Sequence, residues 1–136
     1  MQSRKFFIFT LSAGLLALSL MISLDNSVTA QKSDSSVALK GLDPVMLTRG
    51  QEVKGDERYS ITAGQFRYLF ASEENRATFE KDPKRYTIQL DGFCPVAPDT
   101  SGKPDLFVVY KEKIYIFASD HCIEMFNLDP GNFVTP

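Results

Sequence analysis

The pentapeptide Tyr68-Leu69-Phe70-Ala71-Ser72 returns 47 residues later as Tyr115-Ile116-Phe117-Ala118-Ser119. The same spacing pairs Phe79 with Phe126, Asp82-Pro83 with Asp129-Pro130, and Tyr86 with Phe133. Upstream, Gly41-Leu42-Asp43-Pro44-Val45 matches Gly92-Phe93-Cys94-Pro95-Val96 at a spacing of 51 residues. A gap of four residues between the blocks reconciles the two spacings. Two matched blocks in the same order read as an internal duplication, each copy one supersecondary unit that needs the other to complete a core.

Each copy reads as strand, turn, strand, helix. In the first, residues 58–62 and 65–70 flank Ala63-Gly64, a hairpin signal. In the second, residues 106–110 and 113–117 flank Lys111-Glu112. Tyr68/Phe70 and Tyr115/Phe117 each fall on one face of a strand, because side chains alternate with a period of two. Ser72 and Ser119 suit helix N-caps, where the hydroxyl accepts from free first-turn amides. Glu73-Glu74 and Asp120 then place negative charge at the positive end of the helix dipole. Both helices should stop at Asp-Pro, since proline pushes the residue before it out of the α region. Phe79 and Phe126 fall mid-helix, facing the hairpins, and Met46 and Met125 read as core. The expectation is an α+β fold: two ββα units packed as one small domain.

The ends of the chain read differently. Arg4 and Lys5 precede an uncharged, mostly apolar run over 6–24, and Val28-Thr29-Ala30 is a small-residue cleavage pattern. Residues 1–30 thus read as a signal peptide. The alternative is an uncleaved N-terminal membrane anchor, since about 19 apolar residues just span a bilayer. Residues 31–36 form a polar lead-in, 37–90 the first unit, and 91–136 the second. The destination is periplasmic or extracellular. Losing Arg4, Lys5 and Asp25 moves the formal charge from −2 to −3. That charge, with no Lys/Arg cluster, is no footprint for nucleic acid. No phosphate loop, Ser-His-acid order or His-Glu-X-X-His occurs, so nucleotide and hydrolase readings lack residues.

The Asp-Pro-Val start, the aromatic strand ending Phe-Ala-Ser, Phe seven residues after that Ser, and Asp82-Pro83-Lys84-Arg85-Tyr86 resemble the YHS domain family. Residues 41–86 look like one copy and 92–133 like a second, more diverged one. The resemblance relates the chain to TRASH-type metal-binding domains and implies a small binding or interaction module. Cysteine-rich relatives are expected to hold heavy metals. Their ligand places correspond here to Met46, Ala71 and Asn75 in the first copy, and to Ala97, Ala118 and Cys122 in the second. Only Cys122 keeps a thiol at such a place. Cys94 aligns instead with the Asp of Asp-Pro-Val.

Cys94, Cys122 and the single histidine, His121, all fall in the second copy. Three readings of them stand. An even cysteine count in an exported chain favours a Cys94–Cys122 disulfide. Closing a loop of about 28 residues would stabilise by roughly 3–4 kcal/mol. Alternatively Cys94, His121 and Cys122 form a copper or zinc site, with Asp120 or Met125 completing the shell. Against that, adjacent helical residues point about 100° apart. The third reading is a pair of free or redox-active thiols, although the spacing is not Cys-X-X-Cys. The functional expectation is therefore a non-enzymatic exported module. Its partner is a metal ion or a protein, and it meets a membrane only through an uncleaved N-terminal segment. The alternatives are a disulfide-stapled structural protein and a thiol-based redox accessory.

Overall fold

Two antiparallel hairpins, each closed by a helix, organise the computed structural model of the chain, which describes residues 35–134. The expected signal peptide lies outside the described residues, as does most of the polar lead-in. Ser36 of that lead-in already belongs to a strand.

The elements run in the following order. Strand β1 is Ser36–Val37, helix α1 Pro44–Thr48, and the first hairpin is β2 Asp56–Ala63 with β3 Phe66–Phe70. Helix α2 is Glu73–Lys81 and α3 is Pro83–Tyr86. The second hairpin is β4 Lys103–Tyr110 with β5 Lys113–Phe117, followed by α4 Asp120–Leu128. One sheet has the order β1-β3-β2, with β1 parallel to β3; the other is the β4-β5 pair. The fold is α+β.

Local chemistry accounts for the element ends. Ser72 and Ser119 are the N-caps of α2 and α4, accepting from Asn75 N–H at 3.2 Å and Cys122 N–H at 3.3 Å. Both helices end ahead of Asp-Pro, as the proline rule requires. The first hairpin turn is Gly64-Gln65, one residue beyond the Ala63-Gly64 expected, because Ala63 still pairs with Phe66. Gly64 takes φ +60° at the first central position of the turn, where a side chain is disfavoured. In the second hairpin Lys111 and Glu112 both have positive φ, the mirror-image turn that matches strand twist.

Two apolar clusters share strand β5. Phe79 centres the first, 5.2 Å from Tyr68, 5.1 Å from Phe70 and 6.4 Å from Tyr86 between ring centroids. Phe126 centres the second, 5.0 Å from Phe117, 5.7 Å from Tyr110 and 6.2 Å from Phe133. Because side chains alternate along a strand, β5 sends Ile114 and Ile116 into the first cluster and Tyr115 and Phe117 into the second. All four are buried, so β5 joins the halves through both of its faces. Each buried aromatic is worth on the order of 2–3 kcal/mol of transfer free energy. One core expectation fails: Met125 is 38 % exposed and Met46 only half-buried. Met125 sits about 100° around α4 from the buried Phe126, on a part of the helix open to solvent.

Candidate functional site

The backbone leading to Asp43 and to Cys94 follows the same path. Leu39 and Lys40 have φ of 59° and 54°, and Leu90 and Asp91 have 55° and 51°. Gly41 and Gly92 follow at +73° and +84°, a region that favours glycine. Gly55 N–H then donates to Gly41 O at 2.9 Å, and Gly102 N–H to Gly92 O at 2.8 Å. Asp43 N–H donates to Val53 O at 2.8 Å, and Cys94 N–H to Thr100 O at 2.9 Å. Asp43 and Cys94 therefore enter their cores at equivalent places, and both are fully buried.

In the first half the place is polar and satisfied. Asp43 Oδ1 accepts from Val45 N–H at 2.8 Å and Met46 N–H at 3.2 Å, capping α1. Asp43 Oδ2 accepts from Ala71 N–H at 2.8 Å and from Asn75 Nδ2 at 2.7 Å. One carboxylate thus ties the α1 loop to the end of β3 and to the first turn of α2. Four N–H donors offset the desolvation of the buried carboxyl.

In the second half sulfur replaces this network. Cys122 is the third residue of α4, at the place Asn75 holds in α2. Ser119 Oγ donates to Cys122 Sγ at 3.3 Å while accepting from Cys122 N–H. Cys94 and Cys122 belong to the same apolar cluster, and Cys94 is close enough to influence the Cys122 thiol. Hydrogen bonding from Ser119, together with that from Cys94 and the backbone, lowers the Cys122 pKa from the ordinary thiol range, against the opposing effect of burial. The loop from Cys94 to Thr100 is four residues shorter than its counterpart and carries no equivalent of α1. Val96, Ala97, Leu106, Ile123 and Phe133 pack half-buried apolar surface against the cluster that contains Cys94.

Two of the three predicted site residues are therefore brought together, as thiols without a bond between them. The third is not. His121 is 79 % exposed, with Nδ1 3.7 Å from Glu124 on the outer face of α4. The helical rotation between neighbours turns Cys122 inward and His121 outward. Among the described residues no group of three His, Cys, Asp or Glu side chains converges as a metal centre.

A separate cleft of about 380 Å³ had no signal in the sequence, because it forms where the first hairpin tip meets the chain linking the halves. Gln65, Phe66, Tyr68, Thr87, Ile88 and Asp91 line it. Tyr68 Oη accepts from Ile88 N–H at 3.0 Å, and burial pushes its pKa up to about 12. Compared with known proteins, the chain matches no family profile, no curated protein and no solved structure.

Proposed function

We propose that the chain is an exported, non-catalytic binding or interaction module of the YHS type, whose second half is clamped by a Cys94–Cys122 disulfide. One observation carries this reading: the two sulfurs meet where the first half makes its Asp43–Asn75 hydrogen bond. In that half the contact is mechanical, holding a loop against a helix start. A disulfide would perform the same task covalently, and Cys94 and Cys122 share one cluster of the second half. Shared glycines, shared left-handed residue pairs and equal caps support descent of the two halves from one duplicated unit.

Heavy-metal binding at the pair is the second reading, favoured by the lowered Cys122 pKa, since thiolate is the form that ligates. With His121 turned outward, two sulfurs leave a zinc tetrahedron two ligands short.

Thiol titration of the natively exported protein tests the reading. No free thiols and no bound metal are expected. Two free thiols, with copper(I) or zinc retained stoichiometrically and lost in Cys122→Ser, would replace the disulfide by a metal site. Sequencing the mature N-terminus tests export with cleavage: a start at Gln31 is expected, and a start at Met1 overturns it.

A further inference from the structure

Building on the disulfide reading, we propose that this bond forms and opens by exchange at Cys122, with Cys94 as the resolving thiol. The partner of the site is then a disulfide-bearing oxidant that reacts at one sulfur only. The inference rests on an asymmetry in the pair. Cys94 has 0 % exposure and lies within the cluster of Phe117, Phe126 and Val134. Cys122 is half-exposed on the first turn of α4, between the half-buried Ser119 and the exposed His121. Thiol–disulfide exchange needs direct access of the incoming disulfide to the attacking sulfur. Only Cys122 offers that access.

The first half shows that the asymmetry belongs to the fold. Asp43, at the place of Cys94, is also fully buried, and Asn75, at the place of Cys122, is also half-exposed. The loop position is always the inner partner and the helix position the outer one. Ser119 adds a second element, because its hydroxyl donates to Cys122 Sγ and stabilises charge on that sulfur before attack.

The reaction balances as follows. The Cys122 thiolate attacks one sulfur of the oxidant, forming a mixed disulfide and releasing the other half as a thiolate. Cys94 gives its proton to that thiolate and attacks Cys122 Sγ, expelling the second half. Two protein thiols lose two electrons and two protons, and one external disulfide becomes two thiols, the second expelled thiolate taking up from water the proton that Cys122 had released. Reduction runs the same steps backwards, starting with attack on Cys122 Sγ.

Glutathione disulfide is the probe, added to the reduced full-length mature protein and followed by intact mass and peptide mapping. The wild type should close its own disulfide and retain no glutathione. Cys94→Ser should carry one glutathione, on Cys122, while Cys122→Ser stays unmodified over the same interval. Glutathione on Cys94, or equal modification of both variants, overturns the inference while leaving the disulfide intact. A reduced wild type that never closes a disulfide overturns the underlying reading instead. Should either variant fail to fold, alkylation of reduced wild type by iodoacetamide decides. Cys122 should label about ten-fold or more faster than Cys94, and comparable or reversed labelling overturns the proposal.

Discussion

Asn75 Nδ2 lies 2.7 Å from Asp43 Oδ2, joining the first turn of α2 to the loop that enters the core, and Cys122 and Cys94 meet at the corresponding places of the second half. The same architectural joint is thus made once from a carboxylate and an amide, and once from two sulfurs. The polar version depends on donors that the loop supplies. Asp43 caps α1, whereas the shorter loop after Cys94 has no helix to cap. Sulfur suits that place because a thiol leaves little desolvation to offset.

Asp43→Ala should be among the most damaging substitutions in the chain. It leaves the amides of Val45, Met46 and Ala71 and the Asn75 side chain without their acceptor. A loss of about 3 kcal/mol or more is expected. Asn75→Ala removes only one of the four donors and should lose about 1 kcal/mol. Urea unfolding of the two variants checks the order, and an equal effect would contradict the central role of the carboxylate.

Gly55→Ala and Gly102→Ala should destabilise to a similar degree, each by about 2–4 kcal/mol. A Cβ at Gly55 would stand 2.5 Å from the Leu69 backbone, and one at Gly102 would stand 2.8 Å from the backbone of Ile116. Neither neighbour can yield without breaking its hairpin register. Thermal melts of both variants provide the comparison, and a neutral Gly102→Ala would show that the halves do not share this contact.

Alkaline pH should unfold the protein partly through Tyr68. Its phenol is raised to about 12 when folded, against about 10 when unfolded. The unfolded chain therefore loses this proton first, so the contribution is complete below pH 10 and declines as pH rises toward 12. The decline should amount to on the order of 2 kcal/mol. Tyr68→Phe should be less stable at pH 7, because the Ile88 N–H loses its acceptor, yet fall less steeply above pH 10. Melting temperatures from pH 7 to 12 measure both slopes, and parallel curves would refute this role of the phenol.

Ser72→Ala and Ser119→Ala should each lose about 1 kcal/mol, as N-cap removals do. Only Ser119→Ala should also slow alkylation of Cys122 in the reduced protein near neutral pH. The Ser119 hydroxyl is the largest influence lowering that thiol's pKa, so its removal raises the pKa and reduces the thiolate fraction. An unchanged rate would assign Ser119 to helix capping alone.

Several features were legible in the residues because they are set locally. The hairpins, the Ser caps, the Asp-Pro stops and the inward placement of Phe79 and Phe126 follow from periodicity, capping and proline sterics. These act over a few residues and do not need the rest of the chain. The repeat spacing also brought Cys94 and Cys122 into one unit of the fold. Helices α1 and α3 and strand β1 were missed, because each is five residues or fewer and gains its stability from tertiary contacts. The apolar Met125 likewise gave no sign in the sequence of which way its helix would turn.

Sequence alone thus determined the two hairpins, the caps and ends of the two longer helices and the spacing of the repeated segments, since those depend on local stereochemistry. Tertiary structure alone decided the rest. It placed both faces of β5 in separate cores, brought Cys94 against Cys122, turned His121 to solvent, and opened the cleft beside Tyr68. Each of these depends on the angle at which one element crosses another, set by the combined packing of residues far apart in the chain.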